Sequence, residues 1–591
     1  MLISHNKKIS DNVEEEVGFL LTNRNGSFFN TGISSIYSGL FFADNKDIIK
    51  LIEEIKTPGK VTEIKNNFWN IQRNKENIHE SFFMPVYKDA LVYELSNKDT
   101  IDIFLDVKKA YDNRKWGRIY EIWQEGDRII IYFTKKTDSR EDDSNGLEEY
   151  SIFIVIALSK GSDIQILDTW QQREYSFDKN RNYPSDRFVF NALRLKAKKL
   201  VITFSKDKDT AIQNCDDIIL NLDKLKANQK KSLKLNLKKY RNKKIELAQK
   251  NAMLALTNLE VKKEENIYAG LPWFFQFWSR DTFISLKALM LNKEFDLVHK
   301  IFMEYMHHIQ EDGLLSNQIP KSLIASADSI GWFFKRLDDF FPRHKKFFKK
   351  TELSLLKTKL SETVDDLFRN YTHENLATNN KQETWMDSIA RDGKRLEIQA
   401  LRIVIFNFMF KLTKNTVYKD MAEKIIKYTK ENFWNGLYLR DGIDDDTIRP
   451  NIFIAAYLCP EILKKEEWLR CFDTILPKLW LNWGGLSTID TSNSKFHSKT
   501  TGQDSSSYHN GDSWYWINNL AALVLCRTDY SHYKKIVDKI IDASSDDILF
   551  KGFIGCHSEI SSASTKESNG CLSQAWSNAF FVELVQEIIK S

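Results

Sequence analysis

Near residue 205 the spacing of apolar residues along this 591-residue chain changes its period, and that change restricts the fold more than any other feature. Before it, short runs rich in Phe, Ile, Tyr and Val alternate with polar turns, among them ESFFMPVY, TIDIFLDV, RIIIYFT, EYSIFIVIAL and KLVITF. Runs of that length and composition read as strands. GRIYEIWQEGDRIIIYF reads as a hairpin turning at Glu125, Gly126 and Asp127. With about a dozen such runs and no helix long enough for crossovers, residues 1–205 are expected to form an antiparallel β-sandwich.

From about residue 208 apolar residues fall at three- and four-residue spacing, as in TAIQNCDDIILNLDKLKANQ, the pattern of amphipathic helices. A helical linker is expected over 206–240. About twelve helical segments follow, near 236–260, 281–291, 294–310, 325–341, 353–372, 395–412, 416–433, 450–457, 464–476, 512–527, 530–543 and 572–588. Connections after even-numbered segments are mostly short, as at Thr413 to Asn415 and Thr528 to Asp529. Those after odd-numbered segments are long and rich in Trp, Gly, Asp and His. Six helical hairpins closed into an (α/α)6 barrel over 241–591 account for that alternation, with all the long loops on one face. An open α-solenoid would call for a repeat of fixed period, and none is visible.

Composition narrows the function. Against 86 basic side chains stand 81 acidic ones, a net charge of +5 that gives no field for a polyanionic partner such as nucleic acid. The local exception, KANQKKSLKLNLKKYRNKK at 226–244, reads as a solvated helical face. Six cysteines without a CxxC pair argue against a disulfide scaffold or a thiolate metal site, and for free thiols in a reducing compartment. The start MLISHNKKISDNVEEEV lacks the apolar stretch of a signal peptide, and no run of eighteen apolar residues occurs. A cytoplasmic location without membrane attachment is expected. The absence of HExxH, a P-loop or a GxGxxG in βαβ context leaves no metal, nucleotide or redox cofactor to expect.

The long loops concentrate groups suited to polyhydroxylated ligands. GLPWFFQFWSRDTFISL at 270–286 sets Arg280 and Asp281, a donor fork and an acceptor, beside Trp273 and Trp278. The next loops carry Asn317, Asp328 and Trp332, then Trp385 and Asp387 in ETWMDSIARDGKRLEIQAL. His509 and Trp514 follow in TTGQDSSSYHNGDSWYW, and Glu559, Gln574 and Trp576 in GCHSEISSASTKESNGCLSQAWS. Taken singly, Asp387 or Glu559 reads as a cap or ion-pair partner, and Arg280 and Asp281 as a pair at a helix start. Trp514 and Trp576 also fit core positions, and Glu383, Asp392 and Glu397 lie near enough to Asp387 to be rival acids.

In order, the strings PWF…WxRDT, TWMD followed by GKxxEIxAL, YHNGxxW and SE…GCxxQAWS resemble the glucosidase part of glycogen debranching enzymes, the amylo-α-1,6-glucosidase family in its bacterial and archaeal form. EVGFLLTNRNGSFFNTG…YSGLF near the N-terminus resembles the entry segment of that family's β domain. The resemblance implies inverting hydrolysis of branched α-glucan or malto-oligosaccharide, with Asp387 as general acid and Glu559 as general base. It also implies that Arg280 and Asp281 hold the terminal glucose. Burial beside Trp385 and Met386 is expected to keep Asp387 protonated, and the Ser-rich loop to leave Glu559 ionised. Such a pair works across a sugar ring at ~6.5–9.5 Å separation.

The chain departs from the family pattern at Ser279, where Gly is usual, at Asp512 and Ser513 after YHNG, and in the Ser- and Lys-rich stretch after Glu559. These loops shape the outer subsites, so linkage and chain-length preference stay open. No second catalytic barrel of the α-amylase kind fits beside the two domains. Competing readings are an α-glucosidase for another linkage or a small oligosaccharide, and a glucan-binding protein without turnover. A phosphorolytic enzyme of similar architecture is disfavoured by Glu559, because a phosphate nucleophile calls for a cationic pocket.

Overall fold

Consecutive apolar residues in the strands Arg128–Thr137 and Glu148–Leu158 point alternately into two different cores, which explains why these runs do not alternate with polar residues. Ile129, Ile131, Phe133, Ile152, Ile154 and Ile156 join one cluster with Phe19, Phe29 and Leu105, while Ile130, Val155 and Ala157 join another. A strand covered on both faces has no reason to carry polar residues.

The computed structural model describes residues 5–8, 17–44, 47–137, 147–320 and 325–590; most of the N-terminal stretch read above for a signal peptide lies outside them. Two units emerge: Met1–Lys234 with Thr257–Lys263 and Leu549–Gly555, and Leu235–Leu256 with Glu264–Ile548 and Cys556–Ser591. The first is built on one fourteen-stranded antiparallel sheet. Its twenty-residue strands Ala90–Lys109 and Asp186–Ser205 pair with each other and then with different partners at their two ends. Ala90–Lys109 joins His79–Phe83 through its first part and Asp47–Lys56 through its second, with register shifts that let the sheet fold over its core as two layers. The helix α1 (Ser176–Asn180) pins one turn, Asp178 accepting a hydrogen bond from the Ile36 N–H at 2.6 Å.

The stretch expected as a linker carries α2 (Lys208–Ser232), N-capped by Asp207, which accepts from the Thr210 N–H at 2.8 Å. Its stripe Ala211, Cys215, Ile218 and Leu222 is buried in the second β core. Each large aliphatic side chain so covered contributes ~1.5–3 kcal/mol, so α2 is part of the first unit. The basic run occupies the last two turns of α2 and continues through residues without regular structure to the next helix.

The second unit carries α3 (Lys243–Asn258), α4 (Ser279–Leu291), α5 (Phe295–Met306), α6 (Ser329–His344), α7 (Lys350–Asn370), α8 (Leu396–Thr413), α9 (Thr416–Phe433), α10 (Asn451–Leu458), α11 (Lys465–Leu479), α12 (Tyr515–Phe550) and α13 (Ala575–Ile588). Helix α12 is two helices joined at Asp529, whose φ of −163° and ψ of 92° break the helical path. The segments predicted from periodicity are all present as helices. Helix α13 packs on α4, α4 on α6, α6 on α8 and α8 on α10, and these helices are buried nearly all round. Helices α7, α9 and α11 bury a single stripe, as outer helices should. The loops 259–278, 307–328, 371–395, 434–450, 480–514 and 551–574 each precede an inner helix, while the other connections are short.

Two inner helices approach closely where a side chain is missing. A Cβ at Gly331 of α6 would stand 2.5 Å from the Leu401 Cβ of α8. Gly331→Val is expected to cost ~1–3 kcal/mol through overpacking and to lower the melting temperature in scanning calorimetry. An unchanged melting temperature would contradict this packing.

Candidate active site

Because the long loops all precede inner helices, their residues collect where those helices begin. Two-residue antiparallel pairings stitch neighbouring loops: Gly270–Leu271 with Ser573–Gln574, Phe277–Trp278 with Gln318–Ile319, and Ser513–Trp514 with Ile560–Ser561. They satisfy backbone groups that would otherwise be buried without partners. They also fix the residues that follow: Arg280 and Asp281 after Trp278, Trp576 after Gln574, and Glu559 just before Ile560.

The loops line a half-open pocket of about 160 Å³. Sites for drug-sized ligands run ~300–1,000 Å³, so this one admits a single small ring. Of the residues named from sequence, Trp278, Arg280, Asp281, Trp385, Asp387, Trp514, Glu559, Gln574 and Trp576 line it. Trp273, Asp328 and His509 do not. Trp273 is buried, Asp328 lies behind Arg280, and the His509 ring stacks on Trp514 with centroids 5.0 Å apart at 8°. Burial pushes the His509 imidazole well below its usual range, with the Arg449 and Arg280 charges adding to the effect, so it serves as a neutral support. Its Nδ1 lies 2.7 Å from Ser388 Oγ. Sequence reading missed Ala269, Phe274 and Tyr508 as lining residues; each lies within or next to a quoted motif, and that adjacency was the available signal.

Arg280 organises one wall. Its Nη2 donates to Asp387 Oδ2 at 3.1 Å and its Nη1 to the Thr384 carbonyl at 3.3 Å, while Asp328 Oδ1 stands 3.8 Å from Nη1. Its guanidinium carbon lies 5.8 Å from the Trp576 ring centroid. Burial opposes the charge, but Asp328, Asp387 and Asp281 together more than offset it and hold the guanidinium charged. Burial likewise raises the Asp328 carboxyl above its ordinary range in spite of Arg280.

The three pocket carboxylates differ in environment. Asp387 keeps 29% of its side chain open to the pocket, yet the surrounding protein raises its pKa above the usual aspartate value, with Arg280 opposing. Asp281 is pushed up to about 7, first by burial and then by the Glu559 and Asp387 charges, against Arg280 and a 2.9 Å hydrogen bond from Gln574 Nε2. Glu559 is buried. It accepts from the Tyr508 hydroxyl at 2.6 Å and from the Cys571 N–H at 2.8 Å. Trp278 Nε1, Trp576 Nε1 and Gln574 Oε1 find no hydrogen-bond partner among the described residues. Leaving such buried groups unmade costs ~1–3 kcal/mol each, and their place on a pocket wall suits a ligand with hydroxyls.

The rival acids have other tasks. Glu383 accepts from the Asn380 N–H at 2.7 Å. Glu397 and Asp441 grip the buried Arg391 fork at 2.6 and 2.8 Å. Asp441 also receives Asn451 Nδ2 at 2.7 Å, and Asn451 Oδ1 accepts from the Trp385 indole at 2.7 Å, so this network anchors the loop that carries Asp387. Asp392 is exposed and lines a separate cavity. Among the described residues no three His, Cys, Asp or Glu side chains are grouped to hold a metal ion.

Residues 246–583, more than half of the chain, match the profile of the amylo-α-1,6-glucosidase family. Among solved structures, a bacterial glucoamylase complexed with acarbose is similar over 100% of this chain and 98% of its own, at 13% identity and a TM-score of 0.60. A GH63 mannosylglycerate hydrolase from Thermus thermophilus, in complex with Tris, covers 57% of this chain and 99% of its own, at 11% identity and a TM-score of 0.44. No curated protein matches. The fold is that of the six-hairpin glycosidases, and the protein is a glycoside hydrolase by family. More specifically, the chain belongs to the amylo-α-1,6-glucosidase family.

The Asp281 environment has a measurable consequence for stability. With its folded pKa near 7 and its unfolded value near 3.8, the group's contribution is fully present below pH ~4 and is lost as pH rises through 7. Asp281→Asn removes that loss, so the variant should gain melting temperature over the parent as pH goes from 4 to 8. Melting curves that shift in parallel across this range would contradict the raised value.

Proposed function

We propose that this enzyme releases glucose from α-1,6 branch points of glycogen-like α-glucan or its limit dextrins, with inversion at the anomeric carbon. The observation that carries the reading is a one-ring pocket holding two carboxyl groups in contrasting surroundings. Asp387 is raised by burial and suited to hold a proton, while Glu559 receives two donors and is suited to accept one.

In this mechanism the terminal glucose enters non-reducing end first, its hydroxyls meeting Arg280, Asp281 and the unpartnered indole N–H groups of Trp278 and Trp576. Asp387 gives its proton to the glycosidic oxygen as the bond to C1 breaks. Glu559 takes a proton from a water, whose oxygen bonds to C1 from the opposite face of an oxocarbenium-like ring. The products are β-glucose and a chain shortened at its branch, and the two carboxyls exchange protons with solvent to reset. Raised above its ordinary value, Asp387 keeps its proton to higher pH than an ordinary aspartate, and activity falls as pH rises through its pKa.

The small pocket favours removal of single sugars from chain ends over cleavage within chains. Six buried free cysteines accord with a reducing, cytoplasmic setting. No helix among the described residues is long and apolar enough to cross a membrane.

The test is glucose release from a branched limit dextrin, an isomaltose-type and a maltose-type oligosaccharide. The parent should act best on the branched substrate, and Asp387→Asn and Glu559→Gln should each lose at least about 10²-fold in kcat. Preference for maltose-type chains would move the reading to an α-glucosidase of another linkage, and no release from any of them would leave a glucan-binding protein.

A further inference from the structure

Behind the pocket, on the second half of α12, Asp547 is fully buried and gathers three donors. Its Oδ2 accepts from His557 Nδ1 at 2.7 Å and from the Ser558 N–H at 2.9 Å, and its Oδ1 accepts from the Ser568 hydroxyl. Ser558 immediately precedes Glu559. Ser568 lies on the returning arm of the same hairpin, which is closed by the Glu559 N–H donating to the Cys571 carbonyl at 2.8 Å and by Ile560 and Asn569 exchanging backbone hydrogen bonds. A single carboxylate therefore ties together the two arms of the hairpin that carries Glu559.

We propose that Asp547, with His557, is a positioning residue for Glu559, setting where the base stands without touching substrate. The inference rests on the reading of Glu559 as the base. His557 is itself held: its Nε2 faces Asn519 Nδ2 at 3.2 Å, while Asn519 Oδ1 accepts from Ser544 Oγ at 3.0 Å. The ring accordingly donates from Nδ1 to Asp547, and its orientation follows from this network. Tolerance at the carboxylate is small. Gly570 sits at a φ of +64°, and a Cβ there would stand 2.4 Å from Glu559 Oε2. The backbone thus comes against the base on the side facing away from Tyr508's contact at Oε1. If Asp547 loses one acceptor, the arm carrying Ser558 is released, and Glu559 moves with it.

A substrate that needs no proton donor separates this role from general loosening. α-Glucosyl fluoride expels fluoride unaided, so its hydrolysis reports on the water-activating side alone. Asp547→Asn in the full chain should lower kcat on both the fluoride and the branched dextrin by about 10- to 100-fold, the scale of a small misplacement of a catalytic group, with KM changed less than about twofold. Ser568→Ala removes one donor to Asp547 and should show the same split more weakly, and it decides the question if Asp547→Asn does not fold. Fluoride hydrolysis at the parent rate in the folded variants, beside an inactive Glu559→Gln, would overturn the positioning role and leave the base assignment standing. A parent inactive on both substrates, or a Glu559→Gln active on the fluoride, would overturn the base assignment and the inference with it.

Discussion

A guanidinium buried at the head of an inner helix has to be neutralised, and in this protein the Arg280 charge draws carboxylates from its own helix and from two loops. Asp281 comes from its own helix start, Asp328 from the loop before α6, and Asp387 from the loop before α8. Removing a partner from a buried ion pair typically costs ~3–5 kcal/mol, so these loops converge or the charge is stranded. Asp387 thereby acquires its place on the pocket wall. It also acquires its chemistry, because the desolvation that makes Arg280 demanding is what raises the Asp387 and Asp281 carboxyls.

Around that centre the molecule distributes polar satisfaction unevenly. The Arg391, Glu397 and Asp441 side chains, and the Asp547 and His557 side chains beneath Glu559, are hydrogen-bonded, and each group supports one side of the pocket from behind, although the Ser558 hydroxyl beside the second group has no partner among the described residues. The pocket wall itself keeps indole N–H groups and an amide oxygen without partners among the described residues. Hydrogen-bonded carboxylates behind a wall with unmade indole and amide bonds suit a hydroxylated ligand, since unmade bonds persist where function needs them.

Much of this was legible in the sequence, for physical reasons that also mark where reading stops. The switch in apolar spacing near residue 205 reports which faces are buried, and it located the strands and the barrel helices. Alternating loop lengths then implied one face for the long loops, and ordered motifs implied which residues share a pocket. Periodicity cannot say what covers a stripe, so α2, apolar at residues 211, 215, 218 and 222, looked like a linker although the sheet buries it. Nor does adjacency tell a wall from its support: His509 and Tyr508 are neighbours, yet Tyr508 touches Glu559 and His509 stacks behind Trp514. The serines around Glu559 suggested only a polar loop, whereas the Ser558 N–H and the Ser568 hydroxyl both donate to the buried Asp547.

If Asp387 and Glu559 act from opposite faces of one sugar ring, the product must carry the inverted configuration, and its stereochemistry tests that arrangement most directly. Proton NMR of glucose released in the first turnovers, before mutarotation, reads the anomeric configuration. β-Glucose should appear first and relax toward the equilibrium mixture. Initial α-glucose would mean retention, and with it a nucleophilic carboxylate in place of a water-activating one.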